Sequence, residues 1–282
     1  MLLKRGEDYM RLFVSVDYEG IWGVPSWEFM KTEEAKQLLH KELNVFLKSI
    51  EEVDANAYVL MVDSHSRGDN ICRSMLETSS VKLDLISGYP RPNYMMTGID
   101  NSFDGVMFVG YHTKAGGWGA MDHSYSSSTI YRVLINGKEV GESTINGFLA
   151  HYHGVPVILV SGSKELEEEI KENLPEAVFH ATNKTWSRFS AQSYHDALLT
   201  LPEKVHQALQ NAKQLKDSSI TKIGEATFTV EFLNRLAADV TSELPFVKRL
   251  SSRTIEFTMS DYDQAFHAFQ AIVFMASSAM RL

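Results

Sequence analysis

The stretch Leu12-Phe13-Val14-Ser15-Val16-Asp17 decides the fold class of this 282-residue chain. It is a run rich in aromatic and β-branched side chains that ends abruptly at a carboxylate, a pattern that predicts a buried strand with Asp17 at its carboxyl end. A helix is expected next, because apolar residues recur at helical spacing between Ala35 and Val53. Thr32 is the predicted N-cap of that helix, since two acidic residues follow it in the first turn.

The same alternation of apolar runs and polar ends continues along the chain. Residues 57–62 (AYVLMV) lead into Asp63-Ser64-His65, and residues 106–109 (VMFV) lead into Gly110-Tyr111-His112. Strands that alternate with helices favour a mostly parallel sheet with helices on both faces. The fold class predicted here is therefore α/β, built as a three-layer α/β/α domain.

The pattern of elements changes at about residue 183. The segment before that position also contains a predicted hairpin over residues 130–137, a helix over 142–152 and a strand over 155–160. The segment after it has a predicted long helix over 193–214, strands over 226–232 and 254–259, and a closing helix over 262–280. We predict two domains, a three-layer α/β metal-binding domain (1–183) and a smaller α+β domain (184–282).

Composition excludes several classes of function. The chain has 44% apolar and 22% charged residues, which is typical of a globular protein. With 27 basic against 36 acidic side chains the net charge is −9, and no Lys/Arg-rich run is present, so neither nucleic acid nor a membrane surface is an expected partner. The single cysteine, Cys72, excludes an intramolecular disulfide and favours a cytoplasmic location, and no apolar run reaches the roughly 18 residues of a membrane span.

Three predicted strands deliver polar residues that suit a metal site. Asp17, His65 and His112 follow separate strands, and the carboxyl ends of parallel strands meet at one edge of a sheet. Glu19 lies two residues after Asp17, which in extended backbone places both carboxylates on one side. With Glu142 the set has two imidazoles and three carboxylates, a mixture that favours zinc, manganese or iron over calcium. The spacing alone leaves open that each is an ordinary loop residue.

Other chemistries lack their usual motifs. The chain contains no GxxxxGK[ST], GxGxxG or GxSxG sequence, and Cys72 is isolated between Ile71 and Arg73, so nucleotide binding and Ser or Cys nucleophiles are not favoured. The glycine-rich residues 116–119 are interpreted as a mobile loop that presents His123. Trp22 and Trp27 flank the short link between Gly23 and Thr32, where they could line a specificity pocket or pack the link down, and the packing interpretation is favoured.

Several short motifs resemble those of the D-aminopeptidase family typified by the dipeptide-transport-associated zinc peptidase. They occur in the order of that family and span most of the chain. The motifs are Ser15-Val16-Asp17-Tyr18-Glu19-Gly20, Val62-Asp63-Ser64-His65-Ser66, Asp84-Leu85-Ile86-Ser87-Gly88, Val109-Gly110-Tyr111-His112, Met121-Asp122-His123-Ser124 and Val140-Gly141-Glu142.

The resemblance implies a specific site and cofactor. Asp17 would be shared between two Zn²⁺ ions, with Mn²⁺ or Fe²⁺ as alternatives, and Glu19, His65, His112 and Glu142 would complete the ligands. The catalytic histidine of the family corresponds to His123, as a nucleophile or as a carrier of protons for a metal-activated water.

The resemblance also implies the substrate and the assembly. The family removes N-terminal D-amino acids from short peptides and forms a ring-shaped homo-oligomer, expected here as a homodecamer. The link between Gly23 and Thr32 is shorter than in the family type, which leaves the substrate preference of this chain open. Two alternatives use the same ligand set, namely a binuclear phosphoesterase and a non-catalytic, metal-stabilised peptide-binding protein.

Overall fold

A computed structural model describes residues 9–78, 80–216 and 223–280, and its larger sheet has seven strands. In spatial order these are β3 (Lys82–Ile86), β2 (Tyr58–Asp63), β1 (Arg11–Val16), β4 (Gly105–Tyr111), β7 (Val157–Ser163), β8 (Val178–Ser187) and β9 (Ser190–Ser193). All neighbouring pairs are parallel except β8 and β9. The predicted mostly parallel sheet is confirmed.

A second sheet of five strands is antiparallel. Its order is β11 (Lys248–Arg249), β12 (Thr254–Met259), β10 (Ala226–Phe232), β5 (Ile130–Ile135) and β6 (Lys138–Glu139). The predicted hairpin joins β5 to β6, and Asn136 and Gly137 at its turn have φ angles of 51° and 83°. Positive φ at both turn positions matches the twist of hairpin strands, which explains the Asn-Gly pair.

Helices cover both faces of the larger sheet. They are α1 (Glu33–Val53), α2 (Glu142–Tyr152), α3 (Glu167–Asn173) and α4 (Ala197–Lys216), whereas α5 (Arg235–Thr241) and α6 (Tyr262–Ala279) pack on the second sheet. α1 packs against α4 on one face, whereas α2 lies on the other and contacts α6, which also packs on the second sheet. Thr32 caps α1, since its hydroxyl accepts the Ala35 N–H at 3.1 Å. Within the described ranges, no helix combines the length and the apolar character that crossing a bilayer requires.

The alternation of side chains along β1 separates two apolar cores. Leu12 and Val14 face the core under α1 and α4, together with Phe46. Phe13 faces the opposite core, where Phe108 of the larger sheet meets the second sheet and α6. Successive residues of a strand point to opposite faces, so this one short run is buried on both sides and anchors the α/β fold.

The structure differs from the predicted elements at several places in the larger sheet. α4 begins at Ala197 rather than at residue 193, because residues 190–193 pair with β8 as the short strand β9. β3, β8 and β9 were not predicted. β3 and β9 are the two edge strands of the larger sheet and β8 lies next to β9. All three carry polar or charged residues and lack the continuous apolar run of a central strand.

The predicted domain boundary falls inside a strand. Residues 183 and 184 both lie in β8 of the larger sheet. The second sheet takes β5 and β6 from the first predicted segment and β10 to β12 from the second. Neither sheet is therefore confined to one segment, and the division into folding units at 1–183 and 184–282 stays a prediction.

Candidate metal centre and active site

The carboxyl ends of three adjacent strands bring the predicted ligand residues together. Asp17 directly follows β1, and Glu19 lies two residues further. His65 lies two residues after β2, and His112 directly follows β4. Because β1 pairs in parallel with both β2 and β4, all of these ends lie at one edge of the sheet. Glu142 reaches the same place as the first residue of α2.

The five side chains form two groups of three that share Asp17. In one group, His65 Nδ1 lies 3.3 Å from Asp17 Oδ1 and 3.1 Å from Glu19 Oε2. In the other, His112 Nε2 lies 3.4 Å from Asp17 Oδ2 and 3.6 Å from Glu142 Oε1. Each carboxylate oxygen of Asp17 thus faces a different imidazole.

Two atoms at the centre of this cluster are buried without hydrogen-bond partners among the described residues. They are Asp17 Oδ2 and His112 Nε2. The other ring nitrogen of His112 donates to the Thr113 carbonyl at 2.9 Å, so the Nε2 lone pair faces the carboxylates. Leaving such acceptors buried and unpaired is costly, and a cation between them removes that cost. Imidazole and carboxylate donors fit zinc.

The electrostatics of the cluster also favour a cation. Burial alone would raise the pKa of Glu19, but the charge of the neighbouring His65 holds it well below its usual value. Burial opposes protonation of His112, yet the Glu142 carboxylate raises the pKa of this imidazole well above its ordinary value. The carboxylates therefore hold positive charge tightly, and a metal ion that binds here displaces protons.

His123 lies beside the two groups with one ring nitrogen fixed. Its Nδ1–H donates to the Met121 carbonyl at 2.9 Å, which leaves Nε2 facing Glu142 Oε1 at 3.4 Å and Glu19 Oε1 at 4.0 Å. The ring stacks on His112, with centroids 4.2 Å apart and an interplanar angle of 8°. Met121 has a φ of 56°, a strained conformation for a residue with a side chain and one that recurs at functional sites.

The glycine-rich loop before His123 is tied to its surroundings. Gly116 donates its N–H to Asp122 Oδ2 at 2.8 Å. Gly119 lies so close to Thr113 that an added Cβ would be 2.3 Å from the threonine Oγ1. This glycine allows the loop to approach the residue after His112, a packing role that the interpretation as a mobile loop did not include.

Two supporting contacts were not predicted. The Trp27 indole N–H donates to Glu19 Oε1 at 2.9 Å, and the ring edge contacts His123 with centroids 5.7 Å apart. Trp27 also packs against Phe189, so the packing role was predicted but the contact with a ligand residue was missed. The backbone N–H of Tyr125 donates to Glu142 Oε1 at 2.6 Å, a contact for which the residue type gives no signal.

Asp63 and His65 are two residues apart, as Asp17 and Glu19 are. The Asp63 carboxylate nevertheless lies outside the cluster. It accepts the backbone N–H groups of Asn70 and Ile71 at 2.7 and 2.8 Å. Asn70 in turn donates from its side chain to the His65 carbonyl at 3.0 Å. Asp63 therefore holds the turn that positions His65.

The cluster opens onto a cavity of about 990 Å³ that is accessible to solvent. Its lining includes Asp17, Glu19, His65, His123 and Glu142 on one side and a set of aromatic side chains on the other. This volume lies at the upper end of what small-ligand sites usually have and is sufficient for a short peptide.

Comparison with known proteins identifies the family. The family profile described as D-aminopeptidase matches residues 10–271. The chain belongs to the D-aminopeptidase family. This membership confirms the resemblance carried by the SxDxEG and associated motifs, and it confirms the predicted class of enzyme, a peptide hydrolase.

A sequence match and a structural match, both to D-aminopeptidases of Bacillus subtilis, support the assignment to this family. The D-aminopeptidase of strain 168 is 31% identical over 280 residues, which cover 96% of this chain and 98% of the relative. A solved structure of the zinc-dependent D-aminopeptidase DppA, described as a self-compartmentalizing protease, superposes with a TM-score of 0.87 at 30% identity. That superposition covers 95% of this chain and 98% of DppA, so the fold is shared over nearly the whole length.

Proposed function

We propose that this chain is a zinc-dependent aminopeptidase that removes N-terminal D-amino acids from short peptides, with two zinc ions per chain. The observation that carries the proposal is the position of Asp17. Its Oδ1 lies 3.3 Å from His65 Nδ1 and its Oδ2 lies 3.4 Å from His112 Nε2, so one carboxylate belongs to both groups of donors. A shared carboxylate is the usual bridge of two-metal hydrolases.

Each zinc ion is assigned its own set of side chains. Asp17, Glu19 and His65 would hold one ion, and Asp17, His112 and Glu142 would hold the other. Three protein ligands per ion leave positions for water and substrate, which is typical of catalytic rather than structural zinc. Manganese and iron accept the same donors, and zinc is preferred because DppA is described as zinc-dependent.

The residues around the ions have separate tasks. Bound zinc supplies a Lewis acid for the scissile carbonyl and makes water nucleophilic near neutral pH. Nε2 of His123 faces Glu142 and Glu19, so it is placed to take a proton from the attacking water and return it to the leaving amine. Trp27 and the Tyr125 N–H hold the Glu19 and Glu142 carboxylates in place.

The assembly is proposed by analogy with DppA, which is described as self-compartmentalizing. A ring-shaped homo-oligomer, with ten copies as the expected number, would enclose the cavities and restrict them to short peptides. The mass of the native particle, measured by light scattering, tests this arrangement. The cytoplasmic location indicated by the single cysteine stays a prediction.

Metal analysis combined with a substrate panel tests the proposal. The purified chain should contain two zinc ions, release alanine from D-alanyl but not L-alanyl dipeptides, and leave p-nitrophenyl phosphate intact. His65→Ala and His112→Ala should each retain about one ion, whereas Asp17→Asn should lose both. Loss of the same number of zinc ions in all three variants would contradict an Asp17 shared between two ions. Hydrolysis of the phosphate ester but of no peptide would indicate a phosphoesterase. Peptide binding without hydrolysis indicates a peptide-binding protein.

A further inference from the structure

The side chain of a buried glutamine on α6 has no hydrogen bond to any of the described residues. The side chain of Gln270 lines the cavity and the residue is only 6% exposed, yet neither its Oε1 nor its Nε2 has a partner. Buried amide groups are nearly always paired, because an unpaired one loses its bonds to water without replacement. A donor and an acceptor without partners therefore lie buried beside the wall of the active-site cavity, and a small rotation of the side chain would bring them to a ligand there.

A row of aromatic rings lines the same cavity. It begins at Tyr125, whose backbone N–H holds Glu142, and its ring lies 6.0 Å from that of Tyr94. Phe274 lies 5.9 Å from Tyr94 and 5.9 Å from Tyr89, which is 52% exposed. All four rings line the cavity, so an apolar wall leads away from the metal ligands.

α6 joins these two features. Phe274 follows Gln270 by four residues, and residues four apart lie on the same face of a helix. The amide and the aromatic ring are therefore presented side by side to the cavity. An amide with a free donor and a free acceptor matches a peptide group, which offers one N–H and one C=O.

We propose that Gln270 hydrogen-bonds the peptide group after the scissile bond, and that Phe274, Tyr94 and Tyr89 bind a bulky apolar side chain at the second residue of the substrate. The proposal rests on the peptidase function proposed above and specifies its substrate as peptides of three or more residues with an aromatic second residue. Gln270 is a positioning residue, since it contacts the substrate away from the reacting atoms.

The second residue is assigned from the direction of the wall. The carbonyl of the N-terminal residue has to lie at the metal ligands, so that residue occupies the space next to them. The chain beyond the scissile bond extends by roughly 3.3–3.6 Å per residue. From Tyr125 the row of rings reaches Phe274 by way of Tyr94. The part of the substrate after the scissile bond extends in this direction, so its first side chain lies against these rings.

The test compares three substrates, D-alaninamide, D-Ala-L-Ala-Gly and D-Ala-L-Phe-Gly, in the zinc-loaded enzyme. The wild type should have a kcat/KM roughly tenfold higher for the Phe than for the Ala tripeptide, and Phe274→Ala should abolish that preference. Gln270→Met should lower kcat/KM for both tripeptides roughly tenfold more than for D-alaninamide, mainly through KM. Gln264→Met, at an exposed position of the same helix that does not line the cavity, is the matched control and should change none of these ratios.

Stability separates a binding role of Gln270 from a structural one. Because its amide is unpaired, Gln270→Met should unfold at the same or a higher denaturant concentration than the wild type. A lower midpoint with unchanged substrate ratios would mean that Gln270 serves the fold, and it would overturn the proposal. Equal rates for the two tripeptides in the wild type would also overturn it while leaving the peptidase function intact. If none of the three substrates releases D-alanine, both proposals are wrong.

Discussion

The indole of Trp27 donates its N–H to Glu19 Oε1 at 2.9 Å. Glu19 is itself a ligand candidate, so the tryptophan orients a carboxylate that has to face a metal ion. The same ring contacts His123 by its edge, with centroids 5.7 Å apart. One side chain from the short link after β1 therefore contacts both a proposed ligand and the proposed proton carrier.

Trp27→Phe removes this hydrogen bond and keeps an aromatic ring against His123. Partners that hydrogen-bond metal ligands typically contribute 10- to 100-fold to metal affinity or activity. We expect zinc affinity, measured by competition with a chelator, to fall roughly tenfold while the fold is retained. Circular dichroism of the variant checks the fold.

Trp22→Phe is the matched control for Trp27→Phe. Trp22 also donates its indole N–H, but to the Tyr194 carbonyl at 2.8 Å, away from the ligand residues. Its substitution should cost about 1 kcal/mol of stability and leave zinc affinity unchanged. If both variants bind zinc equally well, the contact of Trp27 with Glu19 has no role in metal binding.

His123→Ala tests the proposed proton carrier. Loss of a general acid or base usually lowers kcat by 10²- to 10⁴-fold, and a decrease within about that range is expected here. Neither of the two groups that share Asp17 includes His123, so the zinc content should stay at two ions per chain. Unchanged activity would exclude His123 from the reaction. A loss of zinc would instead make it a ligand, since it also lies in a group with Glu19 and His112.

Much of the site was predictable because strand ends are easy to find in a parallel sheet. Asp17, His65 and His112 each follow an apolar run, and the carboxyl ends of such runs meet in space. Glu142 has no such signal, since it begins α2 far along the chain, and it was placed by resemblance to the family. The contacts of Trp27 and of the Tyr125 N–H depend on tertiary folding and were not predictable from spacing.

The second sheet shows why local hydrophobic periodicity does not reveal where the folding units of this chain divide. The strands β5, β10 and β12 were each predicted correctly as strands. Their pairing joins residues about a hundred positions apart, as Val133 with Val230, and local periodicity carries no information on partners at that separation. Similarly, β8 belongs to the larger sheet although the boundary was placed inside it.

Gly119→Ala should destabilise the loop that precedes His123. The new Cβ would be 2.3 Å from Thr113 Oγ1, so the backbone has to move, and overpacking of this kind costs about 1–3 kcal/mol. Because Thr113 is adjacent to His112, zinc affinity should fall as well. Urea unfolding and chelator competition measure the two effects.

A double-mutant cycle tests the cause of that effect. Thr113→Ala removes the Oγ1 that the new Cβ would meet and leaves the Thr113 Cβ position, 3.1 Å away, as the remaining contact. The double variant should therefore be more stable than the sum of the two single changes implies, by about 0.5–3 kcal/mol. Additive effects would mean that Gly119 is required for another reason.

The buried carboxyl of Glu42 should make the stability of the fold depend on pH, independently of the metal centre. This carboxyl is fully buried on α1, and burial raises its pKa from 4.5 to about 7 although it accepts the Trp22 backbone N–H at 2.7 Å. The native state holds this proton more tightly than the unfolded chain, so the free energy of unfolding falls as pH rises from 4.5 to about 7. Glu42→Gln keeps an acceptor for Trp22 without a charge, and at about pH 8 it should be more stable than the wild type by up to about 3 kcal/mol.

His180 gives the opposite slope and serves as the contrast for Glu42→Gln. Burial lowers the pKa of His180 from 6.5 to about 4, so the native state binds this proton less tightly than the unfolded chain. The free energy of unfolding therefore falls as pH decreases from 6.5 towards 4. In the wild type the two groups, which both contact Ser161, oppose each other between about pH 4.5 and 6.5. Glu42→Gln leaves the histidine effect uncompensated, so its urea midpoint should fall more steeply on acidification than that of the wild type, and the two midpoints should converge below about pH 5. A stability gap between the two proteins that stays constant from about pH 5 to about pH 8 would show that the Glu42 carboxyl does not titrate in this range, and that its burial is tolerated in the charged form.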